Sequence, residues 1–191
     1  LHISSAWENT KPMKTKTTKE QSELIKKAKG HDPDAFTTLM QSYMKDMYRT
    51  AVAIVMNDAD AADAIGDTIL ACWEKLETLK NNAYFKTWMI RILINNCYDI
   101  RKQKERLTSM DDYEETAVTD ESNLEFKELL SILDERYRIP MLLYYGQGYK
   151  IKEIAELLHI PISTVQTRLD RGRNKLKAYY QTERNDHHEK R

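Results

Sequence analysis

The chain has 191 residues, of which 41% are hydrophobic and 31% charged, with only 5 Gly and 4 Pro. That leaves little material for the turns of a many-stranded sheet, and length for one ordinary domain or two small ones. Basic and acidic residues balance at 30 each, which at first argues against a nucleic-acid partner. The balance hides a segregation: Asp58, Asp60, Asp63, Asp67 and the run 111–125 are acidic, while 86–106 and 168–191 are predominantly basic. No apolar run approaches the roughly 20 residues that span a bilayer, and no signal-peptide pattern is present. A cytoplasmic location is therefore expected. Cys72 and Cys97 sit within apolar helical patterns and read as reduced, buried thiols.

Apolar residues recur at three- and four-residue spacing almost throughout, so the expected class is all-α: two small helical bundles joined by an acidic linker. Residues 1–12 precede a Met13-Lys14 that reads like a natural start, and 1–17 are set aside as a vector-derived or disordered beginning. An N-terminal module over 18–107 reads as four helices. Thr18 with Gln21 caps the first, which carries Leu24, Ile25 and Ala28 and ends at Gly30. Asp32-Pro33 starts the second, with the stripe Phe36, Leu39, Met40, Tyr43, Met47, Ala51 and Ile54. Asn57-Asp58 breaks it, and a third runs from about Asp60 to Leu76. After the polar turn Lys80-Asn81-Asn82 a fourth runs from Tyr84 to about Lys104; its start is largely buried and its end, Arg101, Lys102, Lys104 and Arg106, is basic and exposed.

Residues 109–123 are acidic, without Lys or Arg, and lack a helical stripe, so 108–123 reads as an extended linker. The C-terminal module, 124–182, reads as helices over 122–133, 135–146, 151–158 and 162–180, followed by a charged tail over 183–191. The last two helices are the informative pair. Ile154, Ala155 and Leu158 form the inner face of the first, which stops at His159-Ile160-Pro161. The second carries Val165, Leu169, Gly172 and Leu176 on one stripe. Its opposite side carries Ser163, Thr164, Thr167, Arg168, Arg171 and Lys175. Small Ala155 permits the close crossing of a helix-turn-helix, with Ile160 at the corner. Hydroxyl, amide and guanidinium groups at the start of the second helix are those that read base edges in a major groove, and Arg and Lys also anchor phosphates.

The surrounding residues carry a family resemblance. Leu133-Asp134-Glu135-Arg136-Tyr137-Arg138, Leu142-Leu143-Tyr144-Tyr145, Gly148-Tyr149-Lys150, Glu153-Ile154-Ala155-Glu156 and Thr164-Val165…Arg168-Leu169…Arg171-Gly172-Arg173…Leu176 together resemble the promoter-reading domain of extracytoplasmic-function sigma factors of the sigma-70 family. Asp60-Ala61-Ala62-Asp63-Ala64-Ile65-Gly66-Asp67-Thr68 resembles that family's polymerase-binding helix. Phe85-Lys86-Thr87-Trp88-Met89-Ile90-Arg91-Ile92…Asn95-Asn96…Asp99…Arg101-Lys102 resembles its strand-opening helix. The resemblance covers nearly all of 18–180. It departs from the family at His159, where a Gly is usual, at Gly66-Asp67 in place of Gln-Glu, and at Gly172 in place of a common Ala.

The resemblance implies a non-catalytic factor that binds core RNA polymerase through its clamp and flap regions and reads the −35 and −10 elements of promoter DNA. Asp60, Asp63, Asp67 and Thr68 would face polymerase. Asn81, Asn82, Arg91, Asn95, Asn96, Asp99, Arg101, Lys102 and Lys104 would hold the −10 strand, with a base flipped out beside the loop 80–83. Ser163, Thr164, Gln166, Thr167, Arg168, Arg171, Arg173 and Lys175 would read the −35 element. Trp88, inside an apolar stripe, is expected in the core rather than as a stacking platform. An anti-sigma protein, often membrane-anchored, is the expected inhibitor, and the linker would thread the polymerase's RNA path. A free-standing helix-turn-helix repressor or activator is the alternative, but it leaves the N-terminal module unexplained. No Walker loop, zinc spacing or nucleophile elbow points to an enzyme. Neither a metal, a cofactor nor a small-molecule substrate is expected; the pair His187-His188 lacks further ligands.

Overall fold

The computed structural model describes residues 19–108, 126, 128 and 130–189. These fall into two helical units, and no strand occurs among the described residues. The N-terminal unit comprises α1 (Lys19–Lys29), α2 (Pro33–Val55), α3 (Asp58–Lys75) and α4 (Phe85–Thr108). The C-terminal unit contains α5 (Glu135–Met141), α6 (Ile151–Leu158) and α7 (Ile162–Glu189). The expected Thr18 cap and most of the expected linker lie outside the described residues.

Local chemistry sets each boundary in the N-terminal unit. Asp32 accepts hydrogen bonds from the Asp34 and Ala35 amides at 3.0 Å, and Pro33 fills the first helical position, where no donor is needed. The whole expected α2 stripe, Phe36, Leu39, Met40, Tyr43, Met47, Ala51 and Ile54, is buried. The turn after α1 differs from expectation: the left-handed residue is His31, at φ 61°, and not Gly30. Met56 closes α2 in the same conformation, its N–H bonded to the Val52 carbonyl. Asn57 does more than break that helix, since its side chain accepts the Asp60 amide at 2.9 Å and caps α3, which therefore begins two residues earlier than expected. Two 3-10 turns, Leu76–Thr78 and Asn82–Tyr84, occupy the segment before α4.

The core of this unit is built from Ile25, Leu39, Met47, Leu76, Phe85, Met89, Ile90, Leu93 and Ile94, all essentially inaccessible. Burial of side chains of this size contributes about 1.5–3 kcal/mol each. Cys72 and Cys97 lie in the same core, and desolvation pushes both thiols up to about 12, out of the reactive thiolate range. Gly66, by contrast, is exposed in mid-helix, and a Cβ there would meet nothing within 4 Å. Gly66→Ala is therefore expected to stabilise the unit by about 0.8–1 kcal/mol, seen as a higher urea midpoint at unchanged slope. An unchanged midpoint would show that the backbone at Gly66 departs from helical geometry in solution.

In the C-terminal unit Phe126, Glu128, Leu130 and Ser131 are helical. The buried Arg138 guanidinium closes the end of that helix, donating from Nη1 to the Leu130 and Leu133 carbonyls at 3.1 and 3.3 Å. The expected single helix over 135–146 is two pieces. Pro140 has no N–H to continue the ladder, and after Met141 the chain widens into a π turn, Leu142–Gly146, with Gln147 N–H bonded to the Leu142 carbonyl at 3.0 Å. Gly148, at φ 74°, then lets Tyr149 N–H reach the Leu143 carbonyl at 2.9 Å, ending the helix in a Schellman-like turn.

Lys150 N–H bonds the Glu153 carboxylate at 2.7 Å and starts α6. Ile154, Ala155 and Leu157 are its buried residues, and Leu158, expected in that role, is half-buried. An eight-residue helix makes barely two turns, so one residue of phase decides which leucine faces inward. His159 takes the left-handed corner at φ 52°, ψ 43°, a conformation for which Gly is the unstrained choice. Val165, Leu169, Gly172 and Leu176 form the buried stripe of α7. A Cβ on Gly172 would stand 2.8 Å from Met141 Cγ, so the missing side chain is what lets α5 and α7 approach. The α7 backbone continues to Glu189, past the expected end at 180.

Candidate nucleic-acid interface

On the C-terminal unit the buried stripe of α7 turns its other side outward. Ser163, Thr164, Thr167, Arg168 and Arg171 line an open groove of roughly 320 Å³, and the far wall is made by Arg136 and Tyr137 of α5. Hydroxyls thus lie near the helix start and guanidiniums one and two turns later, facing one side. Such a surface can donate to base acceptors and hold phosphates at once. Lys175 sits at the rim, bonded to the Asp134 carboxylate at 2.9 Å. Gln166 and Arg173 fall on the opposite flank of α7 by helical phase. Arg173 is engaged there by Asp170 and Tyr145, contacts that raise its already high pKa. The groove is accordingly narrower in membership than the full set of polar residues on the helix.

On the N-terminal unit α4 presents a second surface. Trp88, Arg91, Asn95, Tyr98 and Lys102 recur at three- and four-residue spacing and share one helix face. Arg91, Asn95, Tyr98 and Lys102 are exposed, and so is the neighbouring Asp99. Trp88, expected in the core, is half-buried and tilted against Phe85 with ring centroids 6.0 Å apart. Rings alternating with cations suit a single strand, whose bases stack while its phosphates are neutralised. Tyr98, with the Arg101 guanidinium 5.9 Å from its ring centre, was not anticipated from the sequence. Nor was Tyr84, 60% exposed beside the loop 80–83. The available signal was their position off the apolar stripe. In that loop Asn81 is exposed and uses its side-chain oxygen to accept the Ala83 amide at 2.9 Å, and Asn82 is half-buried.

Several expected contact residues point inward instead. Asp60 is buried, and its carboxylate meets Lys104 Nζ at 2.8 Å. Lys104 lies on the core side of α4 by phase, so its ammonium reaches Asp60 on α3 while the side chain stays 48% exposed. Thr68 is fully buried; its hydroxyl donates to the Ala64 carbonyl and accepts from Asn96 Nδ2 at 3.0 Å. Arg101 is half-buried near Glu105. Asp60 with Lys104 and Thr68 with Asn96 thus tie α3 to α4, while Arg101 makes its contacts along α4 itself. What α3 does expose is a ridge of Asp63, Asp67 and Glu74 around Leu70, which is 58% exposed. No helix among the described residues is long and apolar enough to cross a membrane.

Comparison with known proteins divides along the same two units. The family model described as Sigma-70 region 2 matches residues 39–107, and the one described as Sigma-70, region 4 matches 123–176. The RNA polymerase sigma factor SigV of Bacillus subtilis (strain 168) is 30% identical over 140 residues, covering 71% of this chain and 84% of SigV. The ECF RNA polymerase sigma factor SigW of the same organism is 28% identical over 173 residues, covering 80% of this chain and 92% of SigW. Among solved structures, CnrH in complex with the cytosolic domain of CnrY is similar in fold, with a TM-score of 0.65 at 23% identity over 85% of this chain and 98% of that one. The sigma factor RpoE in complex with the anti-sigma factor NepR, from Bartonella quintana, gives 0.65 at 22% identity over 76% and 96%.

Proposed function

The chain belongs to the sigma-70 family of RNA polymerase sigma factors, in its extracytoplasmic-function group, and from that premise we propose how its surfaces divide the work of directing polymerase to promoters. The groove of Ser163, Thr164, Thr167, Arg168 and Arg171 reads the upstream, −35 element as duplex. The α4 face of Trp88, Arg91, Asn95, Tyr98 and Lys102 holds the −10 strand once it is open, with Tyr84, Asn81 and Asn82 beside the base that leaves the stack. The ridge of Asp63, Asp67 and Leu70 docks on core polymerase. The observation that supports this reading is the pairing of two chemically different polar surfaces, one per unit, in the order of the two matched regions. The factor works by binding and not by catalysis, in the cytoplasm where polymerase and DNA meet. Its activity is limited by an anti-sigma protein, as CnrH and RpoE were each solved with a second protein bound.

The test is in-vitro transcription with core polymerase from Bacillus subtilis and a library of random upstream sequences, with and without this protein. Protein-dependent transcripts that share two spaced upstream elements support the reading. Tight duplex binding without polymerase, and no transcripts, would instead identify a free-standing repressor or activator.

Charge reversal of the α3 ridge gives a separate expectation. Asp63→Lys with Asp67→Lys should weaken binding to core polymerase about tenfold or more, with the loss falling off at high salt. Asp60→Asn, which breaks only the pair with Lys104, should weaken the fold and leave core affinity of the folded protein unchanged. Titration of fluorescently labelled protein with core polymerase distinguishes the two; equal effects of both variants would remove the ridge from the interface.

A further inference from the structure

The C-terminal unit carries a charge cluster of which the sigma-factor reading assigns only Lys175. Asp134, just before α5, accepts a hydrogen bond from Lys175 Nζ at 2.9 Å and lies 3.6 Å from Arg136 Nη2. Between the cations stands Tyr137, with the Arg136 guanidinium 5.0 Å and the Lys175 ammonium 5.2 Å from its ring centre. Two cations from different helices are thus fixed around one carboxylate and one ring. The hydrogen bond from Lys175 also holds the Asp134 carboxyl below its usual range.

This cluster is poorly suited to a purely structural role. The side chains of Arg136, Asp134 and Lys175 are 63%, 51% and 48% exposed, and ion pairs that open to water add little to stability. Its net charge is +1, and it borders the groove itself, since Arg136 and Tyr137 form the wall opposite Thr164, Arg168 and Arg171. An arginine there offers a planar fork matched to a phosphate, and its side-chain freedom is already reduced by the carboxylate and the ring.

We propose that Arg136, positioned by Asp134 and Tyr137 with Lys175 beside it, is a phosphate contact on the wall facing the recognition helix. Duplex DNA in the groove is then gripped by α5 and α7 from two sides. The contact sets register and affinity and reads no base. The inference rests on the assignment of the groove to the upstream promoter element.

The experiment uses the full chain assembled with core polymerase, on a promoter duplex that it transcribes. In a set of such duplexes, each phosphate of the upstream element is replaced singly by a neutral methylphosphonate. With the unaltered protein, one or two positions should weaken binding about tenfold or more, the size of a net hydrogen bond to a charged group. With Arg136→Gln the same positions should cause no further loss, while base preference across the element stays as before. Arg136→Lys should restore part of the coupling through its point charge. If every position weakens Arg136→Gln and the unaltered protein by the same factor, the phosphate contact is refuted. Arg168→Ala measured in parallel separates the two levels. If it loses base preference while Arg136→Gln shows no lost coupling, the inference alone fails. If the complex has no preference in the upstream element at all, the groove assignment fails and takes the inference with it.

Discussion

Arg168→Ala is expected to lower transcription from promoters with the preferred upstream element about ten- to a hundredfold while leaving affinity for core polymerase unchanged. Arg168 lines the groove beside Thr164 and Arg171, one turn into the exposed side of α7. A guanidinium in that place can make two parallel hydrogen bonds to one base edge, and a good bidentate pair of this kind is worth about 1–3 kcal/mol of discrimination. The alanine variant should therefore lose preference at one or two positions of the element, so that promoters substituted there become no worse than the parent. Competition transcription between parent and substituted promoters reads this directly. A uniform loss at all promoters, accompanied by a shallower salt dependence, would make Arg168 a phosphate anchor rather than a reader. Its position next to the buried Leu169 leaves the α7 stripe intact in the variant, so a folding defect is not the expected cause of any loss.

Arg138→Met should have the largest effect on stability. The Arg138 side chain is buried and donates to the Leu130 and Leu133 carbonyls. Methionine fills a similar volume but removes this donor from both; the Leu130 carbonyl keeps the Leu133 N–H at 3.4 Å, and a buried acceptor left unmade, as at Leu133, costs about 1–3 kcal/mol. A unit of about 60 residues has only a few kcal/mol to lose. Loss of 2 kcal/mol would lower its Tm by roughly 10 °C. Thermal unfolding followed by circular dichroism should show a transition shifted down for the C-terminal unit alone, since the N-terminal unit has its own core. Arg138→Lys should fall between, because a single ammonium cannot span both carbonyls as a guanidinium does. A Tm within a degree or two of the unaltered protein would show that water replaces the arginine at these carbonyls at little cost.

The apolar pattern proved a reliable guide where one helix face is uniformly buried. The α2 stripe and Val165, Leu169 and Leu176 of α7 are read from spacing alone because burying a continuous face fixes the phase of the whole helix. Asp32-Pro33 and His159-Ile160-Pro161 were legible for a different reason: a cap or a corner is local chemistry, complete within four or five residues. Polar residues at the margin of a stripe behave otherwise. Asp60, Thr68, Asn96 and Lys104 look from the sequence like partner-facing groups on acidic and basic helices, yet all four turn toward the seam between α3 and α4. Their fate depends on which helix lies opposite and how far a flexible side chain can reach, neither of which periodicity encodes.

By itself the sequence determined the helical class and the helix-turn-helix with its outward side, since each follows from local spacing and from charge along one element, while the order of two DNA-related modules was legible through the resemblance of their motifs to the sigma-70 family. Only the tertiary structure decided which charges remain for partners. Asp63 and Asp67 stay outside while Asp60 goes to Lys104, and Arg173 turns to Asp170 while Arg136, distant in sequence, joins Arg168 and Arg171 at one groove. The physical reason is that a surface shared by two helices is created by their packing, here permitted by the bare Cα of Gly172 against Met141. No single helix contains that surface.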